Sequence, residues 1–183
     1  MLSATEVEHL VERALAGEPE SFSALARAHY RAAYCTALSI VRASADAEDV
    51  VQDAMVSAFT ELESCREPAR FPGWLLSIVR RAALMSLRKR GRARRVEDVA
   101  APADEAAPAS GGDVLLRGRL LAAAGSLSDR QAEVLFLHDL EGWTHPEIAD
   151  ALGISEVNAR QILFEARKKM RARLGEADAG GVP

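Results

Sequence analysis

A chain of 183 residues can hold one large domain or two small ones, each with an apolar core. Its hydrophobic content of 49% and charged content of 27% are ordinary for a soluble globular protein. No apolar run approaches the roughly 20 residues needed to cross a bilayer. The formal net charge is −4, yet residues 66–95 carry ten basic side chains and one acidic. This asymmetry indicates a polyanion as the partner of that segment and a different partner for the acidic surfaces.

The N-terminal stretch "MLSATEVEHLVERALAGEPE" has charges every few positions and lacks the apolar core of a signal peptide. We therefore expect a cytoplasmic protein without membrane insertion. Cys35 and Cys65 have neither C-x-x-C spacing nor a neighbouring histidine. Reduced thiols are expected, and a regulatory disulfide is the alternative.

Helical periodicity runs from Val7 to about Arg95. In "SFSALARAHYRAAYCTALSIVR" apolar side chains and His29 recur at three- and four-residue spacing, which predicts one buried stripe. A second helix is expected over Asp46–Glu63, with Ser44 and Asp46 as cap-type residues at its start. Its predicted apolar positions are Val50, Ala54, Val56 and Leu62.

Two prolines and a glycine in "CREPARFPG" interrupt the helical pattern, and "WLLSIVRRAALMSLRKR" resumes it. The stretch from Arg80 to Arg95 then carries eight cations and no acid. Residues 96–113 are Ala/Pro/Gly-rich and acidic and have no bulky apolar side chains beyond valine, so a flexible linker is expected there.

The C-terminal block, from Leu115 to about Leu174, is again helical and predicts a helix-turn-helix. Ser128 with Gln131, and Thr144 with Glu147, form capping boxes that start two helices. Gly153 lies where a tight turn needs a left-handed backbone, and Ser155 can cap the next helix. A plain helical hairpin is the alternative interpretation. The predicted buried positions are Val134, Leu135, Leu137, Ile148, Ala149, Leu152, Ala159, Ile162 or Leu163, and Ala166.

In the DNA-binding interpretation the last helix enters the major groove. Glu165 is placed there as a possible acceptor from cytosine N4. The residues expected at base edges are Ser155, Asn158, Arg160, Gln161 and Glu165, and those expected at phosphates are Arg167, Lys168 and Lys169.

Taken together, three segments resemble the sigma-70 family of bacterial RNA polymerase sigma factors, specifically the short extracytoplasmic-function (ECF, group 4) type. "SADAEDVVQDAMVSAF" and "FPGWLLSIVRRAALMSLRKRGRARR" resemble region 2, and "LSDRQAEVLFLHDLEGWTHPEIADALGIS" resembles region 4. The resemblance implies an all-α chain with two small helical domains on a flexible acidic linker. The implied bounds are region 2 at 1–95, the linker at 96–113, region 4 at 114–175 and a disordered tail at 176–183.

The resemblance also implies a function: binding core RNA polymerase, recognising and melting a promoter, and starting transcription. The cationic segment would hold the separating minus-ten element, with Phe71 and Trp74 beside the loop that holds an extruded base. Trp74 as a core residue, and the cations as a solvated face, are the alternatives. The implied minus-ten contacts are Phe71, Trp74, Arg80, Arg81, Arg88, Lys89, Arg90, Arg92, Arg94 and Arg95.

By the same resemblance, Asp49, Gln52 and Asp53 would bind the clamp helices of the polymerase, although an ordinary polar helix face is the alternative. The linker would thread the cleft towards the RNA exit path, or serve as a simple spacer. An anti-sigma factor is the implied regulator, and a monomer is expected outside such complexes.

The chain also departs from the family pattern. The family usually has cations where Ile162 and Glu165 stand, and an Asn where Arg81 stands. These changes make the helix that reads the minus-35 element less positive, which weakens phosphate attraction and alters the promoter sequence read.

No enzyme is predicted. His9, His29, His138 and His145 lack metal-ligand or triad spacing, and no phosphate-binding Gly-rich loop occurs, so neither a metal nor a cofactor is expected. Two other functions compete with initiation: a sigma-like decoy that sequesters an anti-sigma factor, and a stand-alone helix-turn-helix regulator.

Overall fold

The structure, a computed structural model, describes residues 2–96 and 123–179, with side chains described for 2–90 and 123–175. We refer to residues 2–96 as the first region and to 123–179 as the second region. The predicted linker lies almost wholly outside the described residues, as do positions 180–183 of the predicted tail. All regular structure in the described ranges is helical, which confirms the predicted all-α class.

The first region is built from α-helices and two short 3-10 turns. The helices are α1 (Ala4–Leu15), α2 (Pro19–Val41), α3 (Ser44–Thr60) and α4 (Phe71–Val96), and the 3-10 turns, at Leu62–Ser64 and Pro68–Arg70, separate α3 from α4. The predicted break at "CREPARFPG" is therefore shorter than expected. Phe71, Pro72 and Gly73 already form the first turn of α4, where a proline loses no hydrogen bond.

The start of α3 differs from the prediction. Ala43, not Ser44 or Asp46, precedes the helix, and no side chain caps it. Asp46 is instead buried and forms an ion pair with Arg90 of α4. The helix also ends at Thr60 rather than Glu63, because Leu62–Ser64 tightens into a 3-10 turn.

The second region contains α5 (Asp129–Asp139), α6 (His145–Leu152) and α7 (Glu156–Ala179). Both predicted capping boxes are present, since Ser128 caps Gln131 and Thr144 caps Glu147. Gly153 ends α6 at φ 63°, in the left-handed conformation that the tight turn requires. The predicted inward positions are buried, with Ile162 half-buried beside Leu163.

The two regions pack directly against each other. Helix α2 contacts α1, α3 and α4 within the first region and α5 in the second, while α4 contacts both α3 and α6. Buried side chains from Val7 to Ala166 form one continuous apolar cluster. The sequence predicts two helical bundles but not this packing, because the contacts join residues that are far apart along the chain.

None of the helices in residues 2–96 or 123–179 is both long enough and apolar enough to span a bilayer.

Candidate nucleic-acid and polymerase interfaces

Arg88 and Lys89 are the exposed cations of α4 that lack an ion-pair partner among the described residues. They line a groove of about 1230 Å³ between α3 and α4. Asp49 and Asp53 stand on the α3 side of the groove, and Val56 and Met85 supply exposed apolar surface within it. Unpaired cations next to open space can bind phosphate without first losing a carboxylate partner.

The remaining described cations of the segment are paired. Arg80 Nε donates to Glu133 Oε1 at 2.9 Å, and Arg81 Nη2 donates to Glu61 Oε2 at 3.2 Å. Arg90 pairs with the buried Asp46. The side chains of Arg92, Arg94 and Arg95 lie outside the described residues.

These pairs differ in how easily a phosphate can replace the carboxylate. Arg81 and Glu61 are 60% and 48% exposed, and ion pairs of that kind contribute little stability. Glu133 is only 4% exposed. Releasing Arg80 therefore requires that Glu133 be solvated or find another donor.

The two aromatic candidates occupy different positions. Phe71 is completely buried against Phe22, His29 and Trp74, so it packs the core and its position gives no support to a contact with a base. Trp74 is half-buried, and its Nε1 donates to Ser64 Oγ at 3.3 Å. Its indole ring thus lies against the segment between α3 and α4 and joins it to the core.

On α3, Asp49, Gln52 and Asp53 are exposed on one side of the helix. Val56 and Phe59 continue the same stripe and are 63% and 52% exposed. The predicted burial of Val56 is wrong. Its spacing of seven from Asp49 and three from Asp53 would have placed it on the polar side.

The helix-turn-helix presents a largely open face on α7. Ser155 Oγ accepts the Asn158 N–H at 3.2 Å and so caps the helix, as expected. Glu165 is half-buried, and Arg160 pairs with Glu156 one turn earlier. Val157 and Phe164, which the sequence pattern does not single out, are 70% and 60% exposed. The exposed predicted positions are Ser155, Asn158, Arg160, Gln161, Lys168 and Lys169.

Two of the predicted phosphate contacts have partners inside the second region. Arg167 Nε donates to Asp139 Oδ2 at 3.2 Å, and Lys169 Nζ donates to Gln131 Oε1 at 3.0 Å. Partial burial would raise the pKa of Asp139, but the hydrogen bonds from Arg167 and His138 lower it on balance. Of the three cations predicted to bind phosphate, Lys168 is the one with no hydrogen-bonded side-chain partner among the described residues.

The thiols and histidines form no metal site in the described part of the chain, since no group of three or more His, Cys, Asp or Glu has suitable geometry there. Cys35 and Cys65 are free and buried, and burial raises the pKa of Cys35 to about 12. Burial also lowers the pKa of His29 to about 4, and its Nε2 has no hydrogen-bond partner. His138 and His145 stack at 4.9 Å between ring centroids.

Comparison with protein families matches both regions. Residues 25–93 match Sigma-70 region 2, and residues 117–170 match Sigma-70, region 4. Among curated relatives, the RNA polymerase sigma factor CarQ of Myxococcus xanthus is 32% identical over 172 residues, which cover 92% of this chain and 97% of CarQ. The ECF RNA polymerase sigma factor SigM of Mycobacterium tuberculosis is 30% identical, with 91% of this chain and 83% of SigM covered.

Solved structures agree with the sequence relatives. CnrH, determined in complex with the cytosolic domain of CnrY, superposes with a TM-score of 0.68 at 27% identity and covers 96% of this chain and 99% of CnrH. The sigma factor RpoE of Bartonella quintana, in complex with the anti-sigma factor NepR, gives a TM-score of 0.67 at 25% identity, with 85% and 98% covered. The chain therefore belongs to the ECF RNA polymerase sigma factors of the sigma-70 family, which bind core polymerase and direct promoter recognition and transcription initiation.

Proposed function

We propose that this sigma factor binds core polymerase through α3 and promoter DNA through α4 and α7. The observation that carries the proposal is the exposed, unpaired Arg88 and Lys89 on a helix with a large cation excess, in the same chain as an open helix-turn-helix face. DNA phosphates are the polyanion that both surfaces suit.

At the minus-ten element, Arg88 and Lys89 hold backbone phosphates of the separating strand. Arg81 and Arg90 also bind phosphates, which replace their carboxylate partners. Arg92, Arg94 and Arg95 bind further phosphates along the duplex. The half-buried indole of Trp74 stacks through its accessible surface on an unpaired base, an interaction that contributes about 1–3 kcal/mol.

At the minus-35 element, the exposed residues of α7 reach base edges in the major groove. Ser155, Asn158, Arg160 and Gln161 act as donors or acceptors to bases, and Glu165 accepts from a cytosine amino group. Lys168 binds phosphate directly, while Arg167 and Lys169 do so after leaving Asp139 and Gln131. A carboxylate at position 165 makes this surface less attractive to phosphates than a cation there would be.

The polymerase surface consists of Asp49, Gln52 and Asp53, which suit basic partner side chains, followed by the apolar Val56 and Phe59. The proposed domain bounds remain 1–95 and 114–175, with the linker between them in the polymerase cleft. A cytoplasmic monomer regulated by an anti-sigma factor is also proposed. The anti-sigma complexes of CnrH and RpoE support that partner.

Reconstitution with core polymerase tests the proposal. The purified chain and bacterial core polymerase are incubated with genomic fragments, bound fragments are selected, and run-off transcripts are measured from them. Transcripts that depend on the chain are expected. Capture of an anti-sigma protein without transcription would instead indicate a decoy, and DNA binding that needs no polymerase would indicate a stand-alone regulator.

A further inference from the structure

One side of α7 packs against α5 and α6. Ala159, Leu163 and Ala166 form that side, and each is at most 3% exposed. Because an α-helix has about 3.6 residues per turn, the side chains half a turn away from these three point outwards. The outward side of α7 is the surface that a partner can reach.

Four exposed residues form the middle of this outward side, two of them apolar. They recur at spacings of four, three and four residues and are Val157, Gln161, Phe164 and Lys168. Val157 is 70% exposed and Phe164 is 60% exposed. Asn158 and Arg160 lie about a quarter of a turn to either side of this line. The centre of the surface proposed to read bases therefore carries a valine that the sequence pattern does not single out.

Val157 lies in the first turn of α7. Ser155 Oγ caps the helix by accepting the Asn158 N–H, and Glu156 is the first helical residue, so Val157 is the second. In a helix-turn-helix the N-terminal residues of the second helix reach the base edges. Phe164 lies seven residues later, about 10 Å further along the helix axis. Val157 is thus the apolar side chain at the end of α7 that enters the groove.

The chemistry of valine restricts what Val157 can recognise there. Its side chain has no hydrogen-bond donor or acceptor, so it reads neither the polar edges of the bases nor a phosphate. The apolar group that a base pair presents in the major groove is the 5-methyl group of thymine. A valine in a helix also strongly prefers one side-chain rotamer, so its methyl groups lose little freedom on contact.

The surroundings of Val157 favour DNA over a protein as the occupant of this face. Residues 156–173 carry six basic side chains and two acidic, a balance that suits the phosphates on both sides of a groove. Gln161 separates Val157 from Phe164 along the line, so the two apolar side chains do not form the continuous apolar patch typical of a protein-docking surface.

We propose that Val157 is a specificity-determining residue of α7, which contacts the 5-methyl group of a thymine in the upstream promoter element. The chain then selects promoters with a T·A pair at that position. The inference rests on the proposed function, which places α7 in the major groove, and adds an apolar contact to the polar ones assigned there.

Deoxyuridine substitution tests the contact. Deoxyuridine pairs with adenine as thymine does but lacks the 5-methyl group. In an upstream duplex taken from the fragments that the holoenzyme selects, each thymine is replaced in turn, and fluorescence anisotropy gives the dissociation constant of the holoenzyme. One replacement is expected to raise the dissociation constant by about fourfold, the effect of one lost methyl contact.

Val157→Ala identifies the side chain that makes the contact. Alanine at an exposed helical position favours the helix more than valine does, so the variant is expected to fold. It should bind the thymine duplex about fourfold more weakly than the wild type and should distinguish thymine from deoxyuridine by less than about 1.5-fold.

Phe164→Ala is the matched control, because it removes an exposed apolar side chain from the same side of the same helix. Position 164 lies about 10 Å from position 157, so Phe164→Ala should retain the fourfold preference for that thymine. Salt dependence provides a second control. Val157→Ala should leave the slope of log Kd against log salt concentration unchanged, whereas Lys168→Ala should reduce it by about one.

Three results would overturn the inference while leaving the proposed function standing. They are an upstream element without thymine, equal affinity for thymine and deoxyuridine at every position, and a thymine preference that Val157→Ala retains in full. Weaker binding of Val157→Ala to core polymerase, with its thymine preference intact, would assign this face to a protein instead. If the holoenzyme selects no fragments and makes no transcripts, the proposed function itself is wrong and the inference fails with it.

Discussion

Helices α4 and α7 both carry arginines suited to DNA, but these arginines find their partners in different places. Arg80 of α4 binds Glu133 of the other region, whereas Arg160 of α7 binds Glu156 one turn away on its own helix. Arg167 binds Asp139, which is also within the second region. The arginines proposed to bind DNA in the second region are therefore paired within that region, while Arg80 of the first is paired with a residue of the other region.

This difference has a physical origin. An exposed i, i+4 pair forms in any state in which the helix exists, and it contributes only a few tenths of a kcal/mol. A buried pair between regions is removed all at once when they separate. Arg88 and Lys89 belong to neither kind of ion pair, because no carboxylate is paired with them in the described structure.

Acid should weaken the two regions unequally, and this is the largest effect expected. The pKa of His29 falls from 6.5 to about 4 in the folded first region. The unfolded chain then binds a proton that the folded chain does not, so stability is full above about pH 6.5 and falls as the pH drops towards 4. The expected loss is about 3 kcal/mol in the free energy of unfolding.

Urea unfolding at pH 7 and pH 4.5 checks this expectation. His29→Leu should reduce the difference between the two pH values by about 2–3 kcal/mol, since the titrating group is gone. His9→Leu is the matched control, because His9 is exposed on α1. An unchanged difference in His29→Leu would show that other groups carry the acid sensitivity.

The unpaired cations of α4 provide the next test. Arg88→Ala with Lys89→Ala should lower open-complex yield by about tenfold to hundredfold, since two phosphate contacts are lost, and should leave core binding intact. Permanganate footprinting measures the melted promoter, and co-elution measures core binding. Arg13→Ala, on the surface of α1, is the control. Undiminished melting in the double variant would contradict the assignment of α4 to the minus-ten element.

A direct comparison of the two paired arginines follows. Arg80→Ala leaves Glu133 with Arg130 alone and should cost about 2 kcal/mol of unfolding free energy, whereas Arg160→Ala should cost no more than about 0.5 kcal/mol. Chemical denaturation of the full chain measures both. Equal costs would mean that the contact between regions is no stronger than a surface pair.

The smallest effect is expected on α7. Glu165→Arg places a cation where the family usually has one, and should raise affinity for an upstream promoter duplex by about fivefold with a steeper salt dependence. Fluorescence anisotropy of the holoenzyme on that duplex, at two salt concentrations, measures the change. Glu165→Gln distinguishes loss of the negative charge from gain of a positive one, and weaker binding by Glu165→Arg would favour the base-reading role of Glu165.

Local chemistry explains what could be predicted from the sequence. The capping boxes at Ser128 and Thr144 and the left-handed turn at Gly153 depend on residues within a few positions, and all three are present as expected. The helical stripe of α2 likewise follows from spacing, including the burial of His29. These features need no knowledge of distant parts of the chain.

Contacts between distant residues account for what was missed. Asp46 looks like a helix cap, yet it pairs with Arg90 across the groove between α3 and α4. Phe71 resembles an exposed ring beside a loop, yet the first turn of α4 carries it into the core. Arg80 donates to Glu133, which lies 53 residues away in the sequence. Arg42 donates to Leu127 and Asp129, which lie 85 or more residues away. No spacing rule predicts contacts over such separations.

Arg42 sits directly after α2 with φ 63°, the one non-glycine residue at positive φ in the described chain. For an arginine this backbone costs roughly 1–2 kcal/mol relative to glycine, whatever the state of the rest of the molecule. In the described structure the guanidinium of Arg42 donates hydrogen bonds to Ala124, Leu127 and Asp129, which offset this cost. Exchange of arginine for glycine at this one position would therefore relieve the backbone cost at the end of α2 and, in the same step, remove the three hydrogen bonds that Arg42 donates to the second region.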